Sequence, residues 1–95
     1  MQYQIFLCDD EPKFLSNLVE KVRQVLPDSE ITEYLDGGSL LEALSGDSCD
    51  ILLLDIDMPG LNGLDIAGQL SQTMKQAAQK LLLVFVTSHD ELVYV

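Results

Sequence analysis

Carboxylates stand at the ends of two short apolar runs in this sequence. Asp9 and Asp10 follow the first run, and Asp55 ends the second, with Asp57 two positions further on. If both runs are parallel strands of one sheet, their carboxyl ends meet at one edge, which is where open sheets of this kind bind ligands. Like charges gathered in a small volume are costly unless a cation compensates them. The four carboxylates therefore predict a cation site.

The ligand types at this site indicate a hard cation. All of them would be oxygen atoms, with neither cysteine nor histidine among them, and oxygen-only sites favour Mg²⁺ over zinc. Mg²⁺ usually takes one or two carboxylates and leaves positions for phosphate oxygens. A carboxylate beside such an ion can also act as the nucleophile that forms an aspartyl-phosphate. Thr87 and Ser88, at the end of a third apolar run, add hydroxyl groups to the same edge.

The composition excludes several classes of protein. A chain of 95 residues is at most one small domain, and its hydrophobic share of 47% is too high for a disordered acidic tail. A net charge of −11 argues against direct binding to nucleic acid, because no basic patch can displace the counterions. The longest apolar run, Leu81 to Val86, is far shorter than a membrane span. Cys8 and Cys49 form no Cys-x-x-Cys motif, which predicts reduced thiols and a cytoplasmic location.

Strand patterns and helix patterns alternate along the chain. Four stretches are predicted as strands, namely Gln4 to Cys8, Glu30 to Leu35, Ile51 to Leu54 and Leu81 to Val86. The second of them alternates polar and apolar residues, which favours an edge position, whereas the last two are apolar throughout and predict burial on both faces. Strands separated by helices predict a parallel sheet with helices on both of its faces.

The intervening stretches have the spacing of amphipathic helices. The first has an inner face that includes Val25 and ends at Pro27. The third begins after Asn62 and is predicted to place Leu64 on its inner face.

The remaining two helical patterns are short. The turn Asp36-Gly37-Gly38 precedes a capping box of Ser39 and Glu42, which predicts a helix that starts at Ser39 and runs through Leu44. Residues 91–95 are predicted to form the first turn of a fourth helix.

The sequence around the carboxyl ends of the first, third and fourth predicted strands resembles the receiver domains of two-component response regulators. The resemblance rests on IFLCDDE at residues 5–11, LLDIDMPGLNG at 53–63 and VFVTS at 84–88, which occur in the family's order and spacing. The string DIDMP at 55–59, with TSHDE at 87–91, is similar to the LytTR branch, whose regulators carry a separate DNA-binding output domain.

The resemblance implies a role for each site residue. Asp55 would be the phosphoacceptor, phosphorylated by a sensor histidine kinase, in a signalling module rather than an enzyme. Asp10 would bind Mg²⁺ directly, Asp9 directly or through water, and Asp57 through its backbone carbonyl. Thr87 would hydrogen-bond a phosphoryl oxygen and shift inward once Asp55 is modified.

The resemblance also implies the fold, a flavodoxin-like doubly wound parallel sheet with strand order 2-1-3-4. Residues 1–95 would form the N-terminal part of a receiver domain, without the fifth strand and its lysine, the last helices or the output domain. The outer edge of the strand Leu81 to Val86 would then be unpaired, which predicts self-association of the chain through that edge.

Two other functions compete with this interpretation. The string from Asp55 to Asp57 also resembles the nucleophile motif of haloacid-dehalogenase-type phosphatases, although that motif normally follows the first strand and would leave Asp9 and Asp10 unexplained. The second alternative is a degenerate receiver that serves only as a docking module, which the absent lysine favours.

Overall fold

The computed structural model describes residues 2–46, 49–56, 64–69 and 81–86, and the backbone of residues 92–94. The strands are β1 (Gln4–Cys8), β2 (Glu30–Tyr34), β3 (Ile51–Asp55), β4 (Leu82–Val86) and β5 (Leu92–Tyr94). The helices are α1 (Pro12–Val25), α2 (Gly37–Gly46) and a short helical segment at residues 64–69, here α3. The first predicted strand agrees with β1 at both ends, and the other three agree with β2, β3 and β4 within one residue.

The first four strands form a parallel sheet in the predicted order, β2-β1-β3-β4. The register places Cys8 of β1 between Tyr34 of β2 and Leu54 of β3. At the other side of β3, Asp55 lies opposite Val86 of β4. The carboxyl ends of these strands are therefore level with one another, and β2 is an edge strand as its alternating pattern predicts.

The prediction of a helical turn at residues 91–95 is wrong, because β5 is a strand that pairs antiparallel with β4. Its register joins Val84 to Tyr94, Phe85 to Val93 and Val86 to Leu92. A central apolar strand has backbone donors and acceptors on both sides, and these require partners when they are buried. Since Leu-Val-Tyr also has high strand propensity, the chain returns along the edge of β4. This pairing removes the premise of the predicted self-association at residues 84–86, where the strand edge is not open.

The start of α2 differs from its prediction for a local reason. The helix begins at Gly37, before the predicted capping box, and Asp36 caps it instead. Asp36 Oδ1 accepts the backbone N–H of Ser39 at 2.7 Å, and Asp36 Oδ2 accepts the Ser39 hydroxyl at 2.9 Å. A Cβ at Gly38 would lie 3.3 Å from Asp36 Oδ1, so the absence of a side chain there leaves room for the carboxylate to fold back over the helix end.

Two residues predicted on inner helix faces are exposed in the structure. Val25 at the end of α1 is 76% exposed, and Leu64 at the start of α3 is 61% exposed. On these helices the buried positions are Leu15, Leu18 and Ile66. The spacing on α3 favoured Leu64 over Ile66, because local periodicity does not show which apolar residues the neighbouring elements cover.

The side chains of the sheet alternate between two separate cores. On one face Phe6, Cys8 and Leu52 pack with residues of α2 and α3. On the other face Ile5 and Leu7 pack with α1. The parallel strands are thus covered by helices on both faces, as the alternation of elements predicts.

We expect Asp36→Ala to lower the urea midpoint of unfolding, because the first N–H groups of α2 lose their acceptor. Glu42→Ala, which removes the other half of the predicted capping box, should have a smaller effect, since no hydrogen bond from Glu42 to the start of the helix is present among the described residues. Circular dichroism of the two variants measures the difference. A larger loss in Glu42→Ala would contradict the capping by Asp36.

Candidate metal centre

Three of the predicted site residues come together at the carboxyl end of the sheet. Asp9 and Asp10 directly follow β1, and Asp55 is the last residue of the adjacent β3. Because Cys8 pairs with Leu54 in a parallel register, the next residues on the two strands, Asp9 and Asp55, are also neighbours. The apolar runs that form β1 and β3 therefore determine where the carboxylates lie.

The three carboxylates are close enough to hold one ion. One carboxylate oxygen from each of Asp9, Asp10 and Asp55 lies within 4.8 Å of the other two. Asp9 and Asp55 are only 4% and 6% exposed, whereas Asp10 is exposed to solvent. The site is therefore buried on the side of the strands and open on the side of Asp10.

Backbone hydrogen bonds to neighbouring strands fix the positions of these residues. The Asp9 N–H donates to the carbonyl of Tyr34 at 3.1 Å, which ties the end of β1 to β2. The N–H of Ile56, directly after Asp55, donates to the carbonyl of Val86 at 3.2 Å, which ties the end of β3 to β4. The site is thus attached to the sheet on both sides.

The Asp9 carboxyl group has a pKa raised to about 6. Burial is the main cause, and the negative charges of Asp55 and Asp10 raise the pKa further. The backbone N–H of Glu11, which donates to Asp9 Oδ1 at 2.9 Å, opposes these effects by stabilising the charged form. The raised pKa therefore results first from burial and then from the neighbouring negative charges.

Sequence reasoning did not find this hydrogen bond from Glu11 or the one to the Tyr34 carbonyl. The first could have been anticipated, since an Asp side chain commonly accepts the N–H two residues on. The second joins residues 25 positions apart and depends on the pairing of β1 with β2.

The buried thiol of Cys8 lies in the field of the same carboxylates. Burial, followed by the charge of Asp36 and then by those of Asp9, Asp55 and Asp10, raises its pKa to about 12. Burial also raises the pKa of Cys49 to about 12. Neither cysteine is in a disulfide and both are buried, so neither is a reactive thiolate near neutral pH.

The donor set fits Mg²⁺. The three side chains offer only carboxylate oxygens, and the open side at Asp10 leaves room for water or phosphate oxygens in the coordination shell. The other two predicted site residues, Asp57 and Thr87, lie outside the described residues, as does Ser88.

Comparison with known proteins identifies the family. The family described as "Response regulator receiver domain" matches residues 5–95. This chain belongs to the response regulator receiver family. The resemblance predicted from the strand ends is therefore confirmed, and membership of this family decides against the phosphatase alternative.

Curated response regulators are similar to this receiver domain over most of its length. An uncharacterized response regulatory protein of Vibrio cholerae is 33% identical over 90 residues, covering 94% of this chain and 33% of that protein. The positive alginate biosynthesis regulatory protein of Pseudomonas aeruginosa is 35% identical over 98 residues, covering 92% of this chain and 34% of that protein. The nitrate/nitrite response regulator of Escherichia coli is 31% identical over 88 residues, covering 92% of this chain and 39% of that protein. The chain spans between a third and two fifths of the length of these relatives.

Solved receiver structures confirm the fold. The response regulator TrrA from Thermotoga maritima, in complex with Mg²⁺-BeF, matches with a TM-score of 0.77 and 29% identity. The match covers 92% of this chain and 72% of the TrrA chain. The isolated receiver domain of RcsB from Salmonella enterica, with the phosphomimetic BeF₃⁻, also matches with a TM-score of 0.77, at 18% identity. This match covers 96% of this chain and 65% of the RcsB chain. The predicted flavodoxin-like order 2-1-3-4 is therefore confirmed.

Family membership supports part of the functional interpretation. Receiver domains are signalling modules of two-component systems, and the relatives of this one include transcription regulators. Within the described residues, no helix has both the length and the apolar character that crossing a membrane requires.

We expect Mg²⁺ to stabilise the folded chain, because an ion at the three carboxylates relieves their repulsion and binds only the native state. At about ten times the dissociation constant, mass action gives about 1.4 kcal/mol of additional stability. Asp10→Ala should lose most of this gain, whereas Asp28→Ala, which removes an exposed carboxylate in the turn after α1, should retain it. Thermal unfolding with and without MgCl₂, at matched ionic strength, measures the effect, and an equal response in both variants would remove Asp10 from the site.

We expect the metal-free chain to lose stability as the pH rises from about 4 to above 6, through the contribution of Asp9. Its pKa is raised to about 6 in the folded state, so over this range the native state binds more protons than the unfolded state does. Asp9→Asn should remove this contribution while it keeps an oxygen acceptor for the Glu11 N–H. Urea unfolding in EDTA at several pH values compares the two proteins. If their stabilities change with pH in parallel, Asp9 does not have the raised pKa.

Proposed function

We propose that this receiver domain accepts a phosphoryl group on Asp55 from a phosphohistidine of a sensor histidine kinase. The observation that supports this most directly is the convergence of Asp9, Asp10 and Asp55 within 4.8 Å at the carboxyl end of the sheet. Mg²⁺, when bound by Asp9 and Asp10 with Asp55, supplies positive charge that offsets the charge developing on the phosphoryl oxygens.

The location of Asp55 suits it for the role of nucleophile. It ends β3, which lies between β1 and β4, and Asp55 itself pairs with Val86 of β4. A carboxylate oxygen of Asp55 forms the bond to phosphorus as the bond from phosphorus to the donor imidazole nitrogen breaks, and the electron pair returns to that nitrogen. Asp9 accepts the backbone N–H of Glu11 at Oδ1, which holds its carboxylate beside the site. Asp10 is exposed at the mouth of the site, where it can bind the ion.

We include the two remaining predicted residues in the proposal. Asp57 is assigned to the ion through its backbone carbonyl, and Thr87 to a phosphoryl oxygen, on the basis of the family motif alone. The domain acts as a phosphoacceptor that assists its own phosphorylation and dephosphorylation, rather than as an enzyme that turns over an external substrate.

The proposed partners follow from the relatives. The matches cover 34% and 39% of two similar regulators and 12% of a third, from Escherichia coli, which is named as a DNA-binding transcriptional regulator. We therefore propose that residues 1–95 are the N-terminal part of a receiver domain in a cytoplasmic regulator whose output domain binds DNA, with the LytTR type favoured by the DIDMP string. The receiver itself, with a net charge of −11, does not bind the nucleic acid.

Phosphorylation with a small-molecule donor tests the nucleophile. Incubation with acetyl phosphate and Mg²⁺ should add one phosphoryl group to the wild type and none to Asp55→Asn, which keeps the shape of the side chain but cannot form the acyl phosphate. Asp65→Asn, at an exposed carboxylate of α3, is the matched control and should be labelled like the wild type. Intact-protein mass spectrometry gives the stoichiometry.

The outcomes separate the alternatives. Label that persists in Asp55→Asn, or that maps to Asp57, would overturn the assignment of the nucleophile. A wild type that binds Mg²⁺ and yet is never labelled would favour the docking module.

A further inference from the structure

We propose that Cys8 is a positioning residue for the cation site, because its thiol holds the end of β1 against the start of α2. Cys8 is the last residue of β1 and directly precedes Asp9, a buried carboxylate of the site. Its Sγ donates a hydrogen bond to the backbone carbonyl of Asp36 at 3.5 Å, and the residue is only 1% exposed. This role rests on the Mg²⁺ site of the proposed function, to which Cys8 adds orientation rather than a ligand atom.

The acceptor of this hydrogen bond belongs to the residue that caps α2. The carbonyl of Asp36 also accepts the N–H of Leu40 at 3.3 Å, which is the first hydrogen bond of the helix. The carboxylate of the same residue accepts the N–H and the hydroxyl of Ser39. The Cys8 thiol is therefore bonded to a point of the backbone that α2 itself keeps in place.

Two hydrogen bonds from adjacent residues fix the end of β1. The N–H of Asp9 donates to the carbonyl of Tyr34, and the thiol of Cys8 donates to the carbonyl of Asp36, two residues further along the chain. The first bond sets the distance between the end of β1 and β2. The second, made by a side chain, also restricts rotation of the peptide that joins Cys8 to Asp9. Contacts of this kind behind a ligand orient it and strengthen metal binding.

A thiol suits this position because it must serve the core and the hydrogen bond together. Cys8 packs in the apolar cluster that contains Phe6, Leu40 and Leu54. A valine would fill the same space without a donor, and a serine would donate at the cost of burying a hydroxyl group. Burial, with the charges of the nearby carboxylates, raises the pKa of the Cys8 thiol to about 12, so its proton is available to the Asp36 carbonyl near neutral pH.

Cys49 provides a matched control within the same molecule. It is 8% exposed and belongs to the same apolar cluster as Cys8. It lies just before β3 begins, at the end of the sheet away from the site, and the charge that acts on its thiol is that of Asp50. Replacing either cysteine by alanine removes one sulfur atom from one core, but Cys8→Ala does so beside the carboxylates of the site.

Titration of the isotope-labelled chain with MgCl₂, followed by its amide chemical shifts, tests the proposal. We expect Cys8→Ala to raise the Mg²⁺ dissociation constant by at least about threefold, because a less well oriented carboxylate binds the ion less tightly. Cys49→Ala should lower the urea midpoint of unfolding to a similar extent and leave the dissociation constant unchanged. Cys8→Ser should restore Mg²⁺ binding, since the hydroxyl is also a donor, although its burial lowers stability. Cys8→Val removes the donor without leaving a cavity, and it should weaken Mg²⁺ binding as Cys8→Ala does.

Three results would overturn the positioning role. Equal dissociation constants in the wild type, Cys8→Ala and Cys8→Val would show that the thiol does not affect the site. An equal loss of affinity in Cys8→Ala and Cys49→Ala would indicate a general effect of core packing. A wild type that does not bind Mg²⁺ would remove the cation site together with the role of Cys8. By contrast, a wild type whose Mg²⁺ affinity depends on Cys8 but which acetyl phosphate never labels would contradict the proposed function and support the positioning role.

Discussion

The crowding of three carboxylates at the carboxyl end of a parallel sheet is the constraint on which the rest of this structure depends. Asp9, Asp10 and Asp55 repel one another, and their charges add to burial, the larger cause, in raising the pKa of Asp9. The arrangement persists because the backbone before each carboxylate is held in a strand. The hydrogen bond of Asp9 to Tyr34 and that of Ile56 to Val86 continue the sheet to the site itself. The folded sheet thus holds together charges that a flexible chain would separate, and a cation relieves the cost.

The register that positions the carboxylates is the register that builds the core. Along β1, Ile5 and Leu7 face α1, while Phe6 and Cys8 face α2. A slip of one residue of β1 against β3 would move each of its side chains to the opposite face and disrupt the packing of both cores. It would also separate Asp9 from Asp55. The hydrophobic cores therefore protect the geometry of the site, although none of their side chains takes part in its chemistry.

Charge is distributed unequally over the molecule. The carboxylates of the site lie at one end of the sheet, whereas all the described basic residues lie on α1. The acidic end is suited to a cation and a phosphoryl group.

The sequence by itself determined the first four strands and the three carboxylates that meet at their ends. Continuous apolar runs specify buried strands, and an aspartate at the end of such a run lies at the edge of the sheet wherever the strand pairs. The position of β5, the cap of α2 at Asp36 and the exposure of Val25 were decided only in the tertiary structure. Residues 92–94 form a strand because the edge of β4 offers hydrogen bonds that a local pattern cannot reveal. Val25 is exposed because no described element covers that flank of α1. Local periodicity reports which residues are apolar, but burial and pairing depend on what the fold brings beside them.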